Sequence, residues 1–182
     1  MSKNSCLSFI RRHISNMKDG QIFTTRDCLI YGKRSNVDHA LFKCVRSGII
    51  VRLTRGVFTR FTSDLQLPSF FEIATIKAKA FGKEILTHGA DTAAKYQMIA
   101  KGNEEPTFYV DGSSSCFLYH GSYIHLKKAS KKRMHMPDDK AGLAIRALWH
   151  MGKEKMFQHF IDKVAILWNT RAERDKIYRG KA

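Results

Sequence analysis

Residues 35–61 constrain the fold of this chain more than any other stretch. Val37, Ala40, Leu41, Cys44 and Val45 recur at the i, i+3, i+4, i+7, i+8 spacing of a helix with one apolar face. Ser35-x-x-Asp38 offers a capping box at its start, and Gly48 ends it. Residues 49–53 and 57–61 then form two β-rich runs joined by Thr54-Arg55-Gly56, where glycine can supply the positive φ of a tight hairpin turn. Upstream, Leu7, Ile10, Ile14 and Met17 mark a first helix stopped by Asp19-Gly20. Ile22-Phe23 is a brief extended pair, and Thr24-x-x-Asp27 caps a short helix ending at Tyr31-Gly32. Helix, short strand, helix, helix, hairpin is the order of a winged helix-turn-helix.

A polar patch at Thr62-Ser63-Asp64 followed by Ser69-x-x-Glu72, a second capping box, places a boundary before residue 68. The expected architecture is α+β: a winged helix-turn-helix over 1–67, then a mixed α/β domain over 68–182. In the latter, a helix over 70–81 stops at Gly82, a strand spans 85–87 and a short helix lies around 91–97. Strands follow at 107–110, 116–119 and 123–127, the last two joined at His120-Gly121. A helix after Pro137, with Asp138 and Asp139 at its positive dipole end, and another carrying Phe157, Phe160, Ile161, Val164 and Trp168 on one face close the chain before a charged tail.

Charge decides which partner to expect. Thirty-two Lys and Arg against sixteen Asp and Glu give a formal charge of +16, which points to a polyanion. The excess is concentrated early: residues 1–67 hold twelve cations and four acids. On a helical wheel, Asn36, His39, Lys43 and Arg46 lie opposite the apolar stripe, with Lys33, Arg34 and Ser35 leading into it. Asn can pair with adenine, Lys and Arg can reach guanine or phosphate, and a helix N-terminus favours phosphate. Arg52, Arg55 and Arg60 flank the hairpin turn, where a wing would touch backbone or minor groove. A second basic run, Lys127, Lys128, Lys131, Lys132 and Arg133, could bind phosphate of DNA or tRNA or an acidic protein surface, while an exposed loop after a strand accounts for it at least as well.

Signatures of catalysis are absent: there is no GxxxxGK[ST], GxSxG or HExxH, and no close His/Cys metal set. No cofactor or metal is expected, and the reading is of a protein that is not an enzyme. The eight histidines read as surface or half-buried groups. Adjacent Asp138 and Asp139 would point about 100° apart on a helix, which suits dipole compensation better than paired acid–base work. Phe108, Tyr109, Phe117, Tyr119 and Tyr123 could stack bases, but packing in a strand core accounts for them better. Cys6, Cys28, Cys44 and Cys116, scattered among apolar neighbours without a CxxC pair, read as reduced core residues. Without an apolar run long enough for a membrane span or a secretory signal, the expected location is the cytoplasm.

Particular residues extend this reading. Gly20-Gln21-Ile22-Phe23-Thr24-Thr25-Arg26-Asp27, Val37-Asp38-x-Ala40-Leu41 and Gly48-Ile49-Ile50-x-Arg52-Leu53-x-Arg55-Gly56-x-Phe58 resemble the N-terminal domain of AbiEi-type abortive-infection antitoxins. Thr87-His88-Gly89-Ala90-Asp91-x-Ala93, residues 107–112, Ile124-His125-Leu126-Lys127-Lys128-Ala129-Ser130 and Ala141-Gly142-Leu143-Ala144-Ile145-Arg146-Ala147-Leu148 are similar to the C-terminal half of that family. Phe58 stands where the usual pattern has tyrosine, and Lys131 and Lys132 add charge to it.

The resemblance implies a type IV toxin-antitoxin pair in which the winged domain binds inverted repeats in its own promoter, while the C-terminal domain counters a nucleotidyltransferase-like toxin. Stable contact with that toxin is not implied. Two other functions remain open at this point: an RNA- or tRNA-binding protein that shields the toxin's substrate, and a stand-alone transcriptional regulator. An enzyme reversing the toxin's modification has no motif behind it.

Overall fold

The computed structural model describes residues 5–64, 66–95, 105–137 and 139–152. The chain is α+β, in the order α1 (Cys6–Ser15), β1 (Ile22–Thr24), a 3-10 helix (Thr25–Tyr31), α2 (Arg34–Arg46), β2 (Ile50–Thr54), β3 (Val57–Arg60), α3 (Phe70–Ala80), β4 (Ile85–Thr87), α4 (Gly89–Lys95), β5 (Thr107–Val110), β6 (Ser115–Tyr119), β7 (Ser122–Lys128), α5 (Lys131–Met134) and α6 (Lys140–Met151). Two compact units divide it: Met1–Lys83 with Cys116–Ile124, and Glu84–Ser115 with His125–Ala182. Asp138, the helix expected to carry Phe157 to Trp168, and the charged tail lie outside the described residues.

The first unit forms because a local start signal and a local stop signal turn its helices back on one another. Thr24 and Asp27 close a capping box at the 3-10 helix, with Thr24 N donating to Asp27 Oδ2 at 2.7 Å. At the end of α2, Gly48 N donates to Val45 O and Ile49 N to Cys44 O, each at 3.0 Å, with Gly48 at φ +70°, a Schellman stop. Ile10, Ile14, Val37, Ala40, Leu41, Cys44, Ile50 and Phe58 thereby meet in one core. Each fully buried Ile or Leu there contributes about 1.5–3 kcal/mol. The sheet has order β1-β3-β2, all antiparallel, and Thr54 pairs with Val57 so that Arg55-Gly56 make the turn, Gly56 at φ +80°.

The helix start at α2 differs from the expected capping box. Lys33 is the N-cap and offers no side-chain cap. Ser35 therefore falls within the first turn, and Asp38 turns to Arg34 instead, at 2.8 Å in an i, i+4 ion pair.

The compact units also divide elsewhere than at residue 68. Ser69 and Glu72 do form the expected capping box, but a helix start is not a domain boundary: α3 stays with the first unit, held by Lys77 Nζ on the backbone oxygen of Arg55 at 3.3 Å and by Arg26 on the backbone oxygen of Ala80. The turn region of β6 and β7 joins it too. Tyr119 donates its hydroxyl to Pro68 O, and Thr54 Oγ1 donates to Leu118 O, both at 2.7 Å. His120 and Gly121, both at positive φ, make that hairpin turn.

In the second unit β4 pairs antiparallel with β5, and β5 pairs parallel with residues 125–128 of β7. Ala129, Met134 and Tyr109 share a small core. Asp139 caps α6 by accepting from Gly142 N at 2.8 Å. Gly89 allows α4 to lie against α6, since a Cβ there would sit 2.3 Å from the backbone oxygen of Arg146.

Candidate nucleic-acid interface

The pattern that buries Val37, Ala40, Leu41 and Cys44 forces the opposite face of α2 outward. Lys33, Arg34, Ser35, Asn36, His39, Lys43 and Arg46 are all exposed. The face is partly ordered from within: Arg34 is held by Asp38, and the Arg46 guanidinium lies 5.9 Å from the centre of the Phe42 ring. Lys43 and Arg46 fall in the last turn, where cations complement the helix dipole.

The hairpin divides its three arginines between two tasks. Arg52 is exposed beside the irregularity in the β2–β3 register, and Arg55 is exposed at the turn. Arg60, at the other end of β3, donates to the backbone oxygens of Ser15 and Met17 and pairs with Asp19 at 3.3 Å. It satisfies carbonyls at and just beyond the end of α1, so its guanidinium is part of the scaffold.

Arg34 and Arg55 meet in a cleft of about 460 Å³ that is also lined by Arg26 and Lys77. Neither Arg26 nor Lys77 stood out in the sequence: one is inside a capping box and the other on a mostly apolar helix, and only folding brings them together. Arg26 is fixed by the backbone oxygen of Ala80 and by the Phe81 ring, 5.6 Å away. Lys77 lies 4.0 Å from the centre of the Phe117 ring. Burial, followed by the positive charges of Arg55 and Arg52, pushes the Lys77 ammonium below its ordinary pKa.

The second basic run is not a loop. Lys127 and Lys128 end β7, Ser130 caps α5, and Lys131, Lys132 and Arg133 lie in that single turn. Arg133 is half-buried, with its guanidinium 4.7 Å from the Tyr109 ring centre and 5.7 Å from that of Trp149; Lys132 lies 6.0 Å from Trp149. Lys127, Lys128, Lys131 and Lys132 are exposed.

Beside this run, the His88 ring lies 4.5 Å from that of Tyr109 and 5.2 Å from that of His150. Burial, then His150, Lys127 and Arg133, push its pKa down to about 4. His88 Nδ1 accepts from Ala90 N at 3.2 Å, which requires that nitrogen to be unprotonated.

Of the five aromatics, Phe108, Tyr109, Phe117 and Tyr119 are buried as strand-core residues, and Tyr123 is exposed. The cysteines correct the expectation that all are core: Cys28 and Cys44 are buried, Cys6 is half-buried and Cys116 is exposed on β6. Among the described residues no group of three or more His, Cys, Asp or Glu is placed to hold a metal, and no helix is long and apolar enough to cross a membrane.

A family model described as a family of unknown function (DUF6088) matches residues 9–176, and the chain belongs to that family. No curated protein matches the chain.

Proposed function

We propose that the first unit is a winged helix-turn-helix that binds DNA, with α2 as the recognition helix and the β2–β3 hairpin as the wing. The observation that carries this reading is the exposed polar face of α2, Asn36, His39, Lys43 and Arg46, backed by the buried Val37, Ala40, Leu41 and Cys44 and set in the same unit as a cationic hairpin turn. A face of this kind can be presented to a major groove without disturbing the core, and the turn arginine can reach phosphate.

On the resemblance in residues 20–58 and 87–148, the chain is a cytoplasmic type IV antitoxin. It represses its own promoter through inverted repeats and counters a nucleotidyltransferase-like toxin encoded beside it, acting by binding and not by catalysis. The gel shift of the full chain on the DNA upstream of its own gene tests the first part: a shift that survives excess random duplex supports it, and equal affinity for both DNAs refutes sequence-specific repression. Rescue of cells expressing the adjacent toxin gene tests the second, and absence of rescue refutes it.

One observation favours RNA as a second partner. Lys132 lies 6.0 Å from the half-buried ring of Trp149, beside the exposed Lys127, Lys128 and Lys131, a pairing of cations with a ring suited to unpaired bases. Protection of tRNA from the toxin by variants that no longer bind the promoter would separate this activity from repression.

A further inference from the structure

We propose that the cleft between the hairpin turn, the 3-10 helix and α3 is a phosphate-ester site, in which Arg26, Arg34, Arg55 and Lys77 surround one phosphate group. Among the described residues, four cations line this cleft and no acid does, one of the four, Arg34, being paired with Asp38 outside the lining. The two nearest carboxylates in sequence are already engaged, Asp27 with Thr24 and Asp38 with Arg34. The volume of about 460 Å³ lies within the range of small-ligand sites. Leu29, Val57 and Phe81 give it an apolar wall against which a sugar can rest.

The site is built and not merely charged. Arg26 is anchored by the Ala80 carbonyl and the Phe81 ring, Arg34 by Asp38, and Lys77 by the Arg55 carbonyl. Guanidinium groups held this way lose little freedom on taking a planar pair of phosphate oxygens. Burial, then the charges of Arg55 and Arg52, lowers the Lys77 pKa, and an anion in the cleft offsets the charge part of that shift. Sequence motifs for phosphate binding rely on glycine-rich loops; this site is assembled instead from four separate elements, the 3-10 helix, α2, the hairpin turn and α3.

The phosphate ester has two sources, a DNA backbone or a free nucleotide. Assignment to DNA rests on the function proposed above, whereas assignment to a nucleotide does not. The test uses the full chain as native protein, Arg55→Gln and Lys77→Gln. Arg55 is exposed at a turn, so that variant keeps the fold even if Lys77→Gln does not. Affinity for promoter and random duplex is followed against salt, and ADP and pyrophosphate binding are followed by calorimetry.

If the phosphate belongs to DNA, the slope of log affinity against log salt falls by about 0.9 on both duplexes. If it belongs to a nucleotide, ADP binds the native protein and binds about tenfold or more weakly to the variants, the loss of one hydrogen bond to a charged group. Slope loss in both variants, or ADP binding lost in both, supports the cleft; slope loss in Arg55→Gln with a folded Lys77→Gln unchanged is the wing contact alone and overturns it. An unchanged slope together with no ADP or pyrophosphate binding, or with binding that both variants retain, overturns it. Native protein that binds ADP through these residues but no DNA would remove the DNA reading and leave the cleft. Promoter preference over random duplex that both variants retain, with neither cleft effect, would do the reverse.

Discussion

Lys77 Nζ lies 3.3 Å from the backbone oxygen of Arg55, so the third helix grips the turn of the hairpin. The same ammonium sits over the Phe117 ring at 4.0 Å. One side chain thereby joins α3, the β2–β3 turn and β6, none of which is adjacent to another in the chain.

A fragment of residues 1–67 is therefore expected to be less stable than the unit it comes from. It loses the Lys77 hydrogen bond to the Arg55 carbonyl, the acceptor for Thr54 on Leu118 and the Arg26 anchor on Ala80. Each net hydrogen bond is worth about 0.5–1.5 kcal/mol. Thermal melts of the fragment beside the full chain check this, and a fragment that melts as high would mean that α3 and the β6 turn add nothing.

Replacing Asn36 or Lys43 with Ala should leave folding unchanged, because both are exposed. A lost base contact should cost about 1–3 kcal/mol on the promoter and little on random DNA. Competition gel shifts read the difference. Equal losses on the two DNAs would make these residues phosphate contacts and move base reading elsewhere.

Arg60 should behave oppositely. Arg60→Ala removes the donor to the Ser15 and Met17 carbonyls and the partner of Asp19, at an expected cost of about 1–3 kcal/mol. The salt slope of DNA binding should stay that of the native protein. Denaturant unfolding and salt-dependent binding of the same variant decide between scaffold and contact.

Local signals were legible in the sequence and remote ones were not. The α2 stripe, the Gly48 stop, the Arg55-Gly56 turn and the boxes at Thr24/Asp27 and Ser69/Glu72 all formed as their spacing required, because each depends on residues a few positions apart. The Ser35/Asp38 box failed because an equally local competitor, the Arg34 ion pair, took the carboxylate. The parallel pairing of β5 with β7 and the meeting of Arg26 with Lys77 depend on tertiary placement, and no periodicity encodes that. Arg60 looked like a third wing cation, since charge alone does not tell which carbonyls a guanidinium will meet.

The cysteines should react in order of access. Cys116 is exposed, whereas Cys28 and Cys44 are buried, and burial, with Asp27 adding, pushes the Cys28 thiol up to about 12. Thiolate is the reactive form. Brief alkylation of the folded protein followed by peptide mass spectrometry should label Cys116 first, Cys6 more slowly, and Cys28 and Cys44 only after unfolding. Early labelling of Cys28 would contradict the core described for the first unit.

The second unit should lose stability in acid through His88. Its folded pKa of about 4 lies below the ordinary histidine value of 6.5, so the unfolded chain binds the proton first. The stabilisation is complete above about pH 6.5, declines as the pH falls through the interval, and levels off once the folded ring also protonates near pH 4. Protonation at Nδ1 also removes the acceptor for Ala90 N and places a cation beside Lys127 and Arg133. His88→Gln keeps a polar side chain without titrating, so its melting temperature should change less than that of the native protein between pH 7 and pH 4. Equal declines in both would assign the acid sensitivity to other groups, and a native protein whose melting temperature does not fall over that range would mean that His88 is not held neutral by its surroundings.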